Sequence, residues 1–167
     1  MTMDEVNALT EDEFIEAFGD LYEHTPWIVA ETAGLGPFSD RAHLQSAMTG
    51  IVERAGEEKQ LALLRAHPEL AGKAALDKTL TGASTAEQAS AGLDRMTPAE
   101  YEEFHTLNAA YRERFDFPFI ICVRLTDKPG ILRAMRQRLE HSRDTEFQTA
   151  LDEVSKIVGI RLGEIMS

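Results

Sequence analysis

The tetrapeptide His67-Pro68-Glu69-Leu70 carries the clearest chemical signal in the chain. A residue before proline is pushed out of the helical region, so the helix bearing Leu61 and Leu64 must stop near His67. The dipole at a helix C-terminus favours an imidazolium. A histidine on a rigid helix end beside an irregular loop is placed for acid–base work near neutral pH. A histidine that merely caps the helix would sit in the same place. Further on, Ser84-Thr85-Ala86-Glu87-Gln88 reads as a capping box at a helix start. The same helix end offers free backbone N–H groups and partial positive charge to an anion. Glu87 and Gln88 can hydrogen-bond a urea-like edge. Arg161 lies among Ile157, Val158, Ile160 and Leu162. Taken alone, it reads as an edge residue that snorkels to water. The alternative is a buried clamp for a carboxylate.

Other chemistries find less support. Glu102-x-x-His105 has the spacing of half a di-metal site, but no second Glu-x-x-His accompanies it. His24, His43 and His141 show no ligand spacing, so neither a metal nor a cofactor is expected. No G-x-S-x-G and no phosphate-binding glycine loop is present. The single cysteine, Cys122, sits in the apolar run Phe119–Val123 and reads as an inert buried thiol. With one cysteine no intramolecular disulfide can form, which fits a reducing cytosol. The acidic N-terminus has no cationic or apolar signal region, and no apolar stretch reaches the ~18 residues of a membrane helix. A cytoplasmic protein is expected. Lys and Arg total 17 against 29 Asp and Glu, for a net charge of −12 without a basic cluster. That balance disfavours nucleic acid and anionic membranes as partners. A small anionic substrate needs a few cationic groups to focus the field locally.

The elements that must position these residues read as helices. The chain of 167 residues suits one domain, spanning 1–167. Thr10-x-x-Glu13 opens a helix with Phe14, Phe18, Leu21 and Tyr22 on one face. Thr25-Pro26 starts a short helix carrying Trp27, and Gly34-Leu35-Gly36-Pro37 breaks it. Ser39 can cap a long helix with Leu44, Met48, Ile51 and Val52 inward, ended by Gly56. Residues 68–83 read as irregular. Thr97-Pro98-Ala99-Glu100 caps a helix bearing Phe104, Leu107, Tyr111 and Phe115, which Asp116-Phe117-Pro118 ends. Phe119–Val123 is the one strand-like run, and an apolar run that short fits buried helix equally well. Lys128-Pro129-Gly130 precedes a helix to about Ser142, and the last helix starts near Thr145. Together these predict an all-α fold of about seven to eight helices without a substantial sheet.

Several motifs in order resemble the OHCU decarboxylase family (2-oxo-4-hydroxy-4-carboxy-5-ureidoimidazoline decarboxylase) of urate breakdown. They are Tyr22-Glu23-His24-Thr25-Pro26-Trp27, His67-Pro68-Glu69-Leu70-Ala71-Gly72-Lys73, Ser84-x-x-Glu87-Gln88 and Phe104-x-x-Leu107-Asn108-x-x-Tyr111-x-x-x-Phe115. Phe117-Pro118-Phe119-Ile120-Ile121-Cys122-Val123-Arg124 and Arg161 complete the set. Asp116 departs from the family's usual glycine, and aspartate is among the better substitutes where φ is positive. Glu69 replaces the commoner aspartate and keeps the charge. The resemblance implies an all-helical, cofactor-free and often dimeric enzyme that turns OHCU into (S)-allantoin and CO2. It implies that His67 is the general acid–base, with Glu87 orienting it or the ureido group. Ser84 and Gln88 would hydrogen-bond the substrate and Arg161 would bind its anionic or carbonyl end. Pro68 and the backbone around Phe119, Ile120 and Ile121 would complete the pocket. Two alternatives stay open: a helical adaptor domain using Trp27 and the acidic surface, or an enzyme on this scaffold for another ureido acid.

Overall fold

The computed structural model describes residues 1–71 and 81–166. Among the described residues there are nine α-helices, one short 3₁₀ turn and no strand. The fold is all-α, as the helix punctuation predicts. The last helix is the longest, and no described helix is long and apolar enough to cross a membrane. The chain forms two compact units, 1–66 with 155–167, and 67–154.

The first unit holds α1 (Met3–Ala8), α2 (Glu11–Phe18), α3 (Trp27–Ala33), α4 (Arg41–Arg54) and α5 (Glu57–Ala66). Thr10 caps α2 through the expected reciprocal box with Glu13, and Thr2 makes an unforeseen one with Glu5 at α1. Phe14, Phe18, Leu21 and Tyr22 are all buried, although α2 ends at Phe18 and the last two sit in the turn beyond it. The cap of α4 is Asp40 rather than Ser39: its Oδ1 accepts the His43 N–H at 2.8 Å. Gly56 follows α4 with φ +91°, a conformation that favours glycine. Asn7 ties α1 to the loop before α4, exchanging two 2.8 Å hydrogen bonds with the Phe38 backbone.

The second unit holds α6 (Gly82–Ser90), α7 (Pro98–Phe115), the 3₁₀ turn Val123–Leu125 and α8 (Lys128–Arg138). The last helix, α9 (Arg143–Met166), contributes its residues up to Val154 here and the remainder to the first unit. Thr97 and Glu100 form the expected capping box at α7, with Pro98 in its first turn. At the other end Asp116 takes φ +63° and donates its N–H to the Arg112 carbonyl at 2.8 Å. Aspartate is among the few non-glycine residues that tolerate this left-handed conformation. The core here is aromatic, with Tyr111 at 4.6 Å from Phe115, 5.9 Å from Phe117 and 5.3 Å from Phe119 between ring centroids.

Candidate active site

Helix α5 ends at Ala66, one residue short of His67, as Pro68 requires. His67, Pro68 and Glu69 are half-buried, and Leu70 and Ala71 are buried. The turn they form is held by side chains. Gln88 accepts the Ala71 N–H on Oε1 at 3.0 Å and donates from Nε2 to the Glu69 carbonyl at 3.3 Å. Asn108 donates from Nδ2 to the Leu70 carbonyl at 2.8 Å. The Glu69 carboxylate pairs with Arg112 at 2.7 Å. Ala71 adopts φ +52°, which these grips must sustain against its Cβ. Gly72 and Lys73 of the same motif lie outside the described residues.

Ser84, Glu87 and Gln88 are all buried along one face of α6, at the i, i+3, i+4 spacing that makes helix neighbours. The cap, however, is Thr81, whose hydroxyl accepts the Ser84 N–H at 3.2 Å. The reading of Ser84-x-x-Glu87 as a capping box is thus corrected. The helix starts earlier, at Gly82, which puts Ser84 inside its first turn and turns Ser84 and Glu87 inward. Gln88 reaches the turn after His67 directly, and each end of its amide keeps a second hydrogen-bonding position.

Phe119–Ile121 is neither strand nor helix. Arg138 of α8 donates from Nη1 to the Ile120 carbonyl at 2.7 Å and stacks its guanidinium 4.3 Å from the Phe119 ring centre. Its Nε reaches both carboxylate oxygens of Glu146, at 2.8 and 3.0 Å. Glu153 accepts the Cys122 N–H at 3.3 Å. Two backbone polar groups that a strand would pair with a neighbour, the Ile120 carbonyl and the Cys122 N–H, are met here by long-range side chains instead. Burial raises the pKa of the Tyr111 phenol beside this network; Arg138 opposes that shift and Glu146 adds to it. Cys122 is buried, as its apolar surroundings predict.

Arg161 belongs to the first unit. It is 5% exposed and donates from Nη1 to the Leu21 carbonyl at 3.2 Å and from Nη2 to Glu23 Oε1 at 2.9 Å. The edge reading of Arg161 is therefore wrong: the guanidinium is buried and ion-paired. Its partner Glu23 is 4% exposed and sits in a tight turn, with His24 at φ +51° and the Thr25 hydroxyl donating to the Glu23 carbonyl at 2.8 Å.

Of the residues singled out from the sequence, His67, Pro68, Ser84, Glu87, Gln88 and Phe119–Ile121 thus fall in the second unit and Arg161 in the first. No cluster of three or more His, Cys, Asp or Glu side chains suited to a metal occurs among the described residues. Glu102 and His105 are exposed on α7.

The family model for OHCU decarboxylase matches residues 7–163. The chain belongs to the OHCU decarboxylase family. Members of this family are carboxy-lyases. A Haloferax volcanii protein named 2-oxo-4-hydroxy-4-carboxy-5-ureidoimidazoline decarboxylase is 48% identical, over 100% of this chain and 97% of that one. A Halalkalicoccus jeotgali protein of the same name is 46% identical, over 99% and 92%. A crystal structure of (S)-allantoin synthase matches with a TM-score of 0.81 at 29% identity. That match covers 100% of this chain and 54% of the other, so this OHCU decarboxylase family chain spans about half of that synthase.

Residues missed from the sequence alone are mostly those that hold the site in place. Arg112, Arg138, Glu146 and Glu153 gave no signal, because a charged residue on an amphipathic helix reads first as a solvated one, and Glu23, in the turn before α3, stood inside a quoted motif without a role. Asn108 stood inside a quoted motif but was given no role.

Proposed function

We propose that this protein decarboxylates OHCU to (S)-allantoin and CO2 without an added cofactor. The observation that carries this reading is the family match over residues 7–163, which spans every motif residue from His67 to Arg161. The substrate is a small ureidoimidazoline, and its own ring C=N group serves as the electron sink for the departing carboxylate. The protein's work is then to bind, orient and manage a proton. His67 is the general acid–base, acting at the substrate hydroxyl and delivering a proton to one face of the new carbon. Glu87 orients His67 or the ureido group. Ser84 and Gln88 hydrogen-bond the substrate, Pro68 shapes the wall, and backbone N–H groups of Phe119–Ile121 complete the pocket. Arg161 binds the anionic or carbonyl end. Residues 1–167 act as one catalytic domain, in the cytoplasm and as a homodimer.

The test generates fresh OHCU from urate with urate oxidase and hydroxyisourate hydrolase, then adds this protein and follows circular dichroism. Rapid formation of a single dextrorotatory enantiomer of allantoin is expected. Unchanged slow decay to the racemate, with folded protein, would overturn the assignment.

A further inference from the structure

The turn that follows His67 is gripped from α7 as well as from α6. Asn108 of α7 is 4% exposed, and its Nδ2 holds the Leu70 carbonyl at 2.8 Å. Gln88 holds the backbone on either side of that carbonyl, at Glu69 and Ala71. The Asn108 Oδ1 is also buried, yet it has no hydrogen-bond partner among the described residues. A buried acceptor left unpaired is unfavourable. Such a group is worth keeping where its other end does something an apolar side chain of the same volume cannot. Turning the amide over would set its oxygen against the Leu70 carbonyl oxygen, so the donor end is assigned by its partner.

We propose that Asn108 is a positioning residue for the decarboxylation. By fixing the Leu70 carbonyl it fixes the turn, and through the stiff Pro68 it sets the direction of the His67 imidazole. This rests on the reading of His67 as the acid–base group. Asn108 acts through the turn, so its loss should slow the proton-transfer step more than it weakens binding. A misplacement of about 1 Å can cost about 100-fold in rate.

The experiment compares the wild-type chain with Asn108→Ala, Asn108→Asp and His67→Asn in steady-state kinetics on fresh OHCU, with thermal melts in parallel. Asn108→Ala is expected to lower kcat about 10- to 100-fold while KM changes by less than about threefold. Asn108→Asp keeps the side-chain shape and, when protonated at low pH, buries no charge, so there it guards against a folding failure in the alanine variant. Its carboxylate cannot donate to the Leu70 carbonyl, but its protonated form can. Its kcat relative to wild type should therefore recover as pH falls, whereas that of Asn108→Ala should not. Wild-type kcat in folded Asn108 variants overturns the inference, as does a loss that tracks only the folded fraction or falls only on KM. Retained activity in His67→Asn would instead overturn the acid–base reading. An inactive His67→Asn beside fully active Asn108 variants defeats the positioning role alone.

Discussion

Arg161 illustrates how burial limits what a substitution can report. Its guanidinium and the Glu23 carboxylate are both nearly inaccessible to water. Removing one partner of a buried ion pair strands the other charge and typically costs about 3–5 kcal/mol. Arg161→Ala should therefore lower the melting temperature sharply, and any loss of turnover would be mixed with loss of fold. Arg161→Lys keeps the charge but loses the planar fork. It is expected to melt closer to wild type while raising KM, if Arg161 binds the anionic end of the substrate. A lysine variant with wild-type KM would remove Arg161 from the binding set.

Among the elements, α8 and the start of α9 hold an irregular segment in place. Arg138 bridges Glu146 and the Ile120 carbonyl, and Glu146 is 0% exposed. Arg138→Met alone should destabilise by about 3–5 kcal/mol, because the Glu146 carboxylate stays buried without that partner. The double variant Arg138→Met, Glu146→Leu removes both charges and should regain most of that stability in a denaturant titration. It does not restore the donor to Ile120, so a raised KM in the refolded double variant is expected. The capped helices make a second prediction. Backbone N–H groups of Thr2, Thr10 and Thr97 hold the Glu5, Glu13 and Glu100 carboxyls below their usual 4.5. A depressed carboxyl contributes stability above its unfolded pKa and loses it as pH falls through the folded one. Wild type should therefore lose melting temperature on acidification below about pH 4.5 more steeply than a Glu5→Gln, Glu13→Gln, Glu100→Gln variant. Parallel slopes would show that the boxes carry no pH-dependent stability.

For the whole molecule, the net charge of −12 opposes the approach of an anionic substrate. Salt shortens the reach of that repulsion to about 8 Å at 0.15 M ionic strength. Raising ionic strength from about 0.01 to 0.15 M should thus increase kcat/KM, mainly through KM. A fall over that range would mean that a local cationic field dominates capture.

Features decided within a few residues were legible in the sequence. The Thr10 and Thr97 capping boxes and the stop before Pro68 stand as read. Each depends on one side chain meeting a backbone group within a turn of itself. The caps that slipped, Asp40 for Ser39 and Thr81 for Ser84, slipped because neighbouring short polar residues satisfy the same local rule. For the second pair burial separates them, since Ser84 is buried and Thr81 is not. The positions of His67, Ser84, Glu87 and Gln88 were marked by type and motif, but the grip of Gln88 and Asn108 on the His67 turn was not. Nor were the pairing of Arg161 with Glu23 and the hold of Arg138 on Ile120. Those contacts join residues far apart in sequence. A buried charge is admitted only where the fold delivers its partner, and no local pattern records which partner that will be.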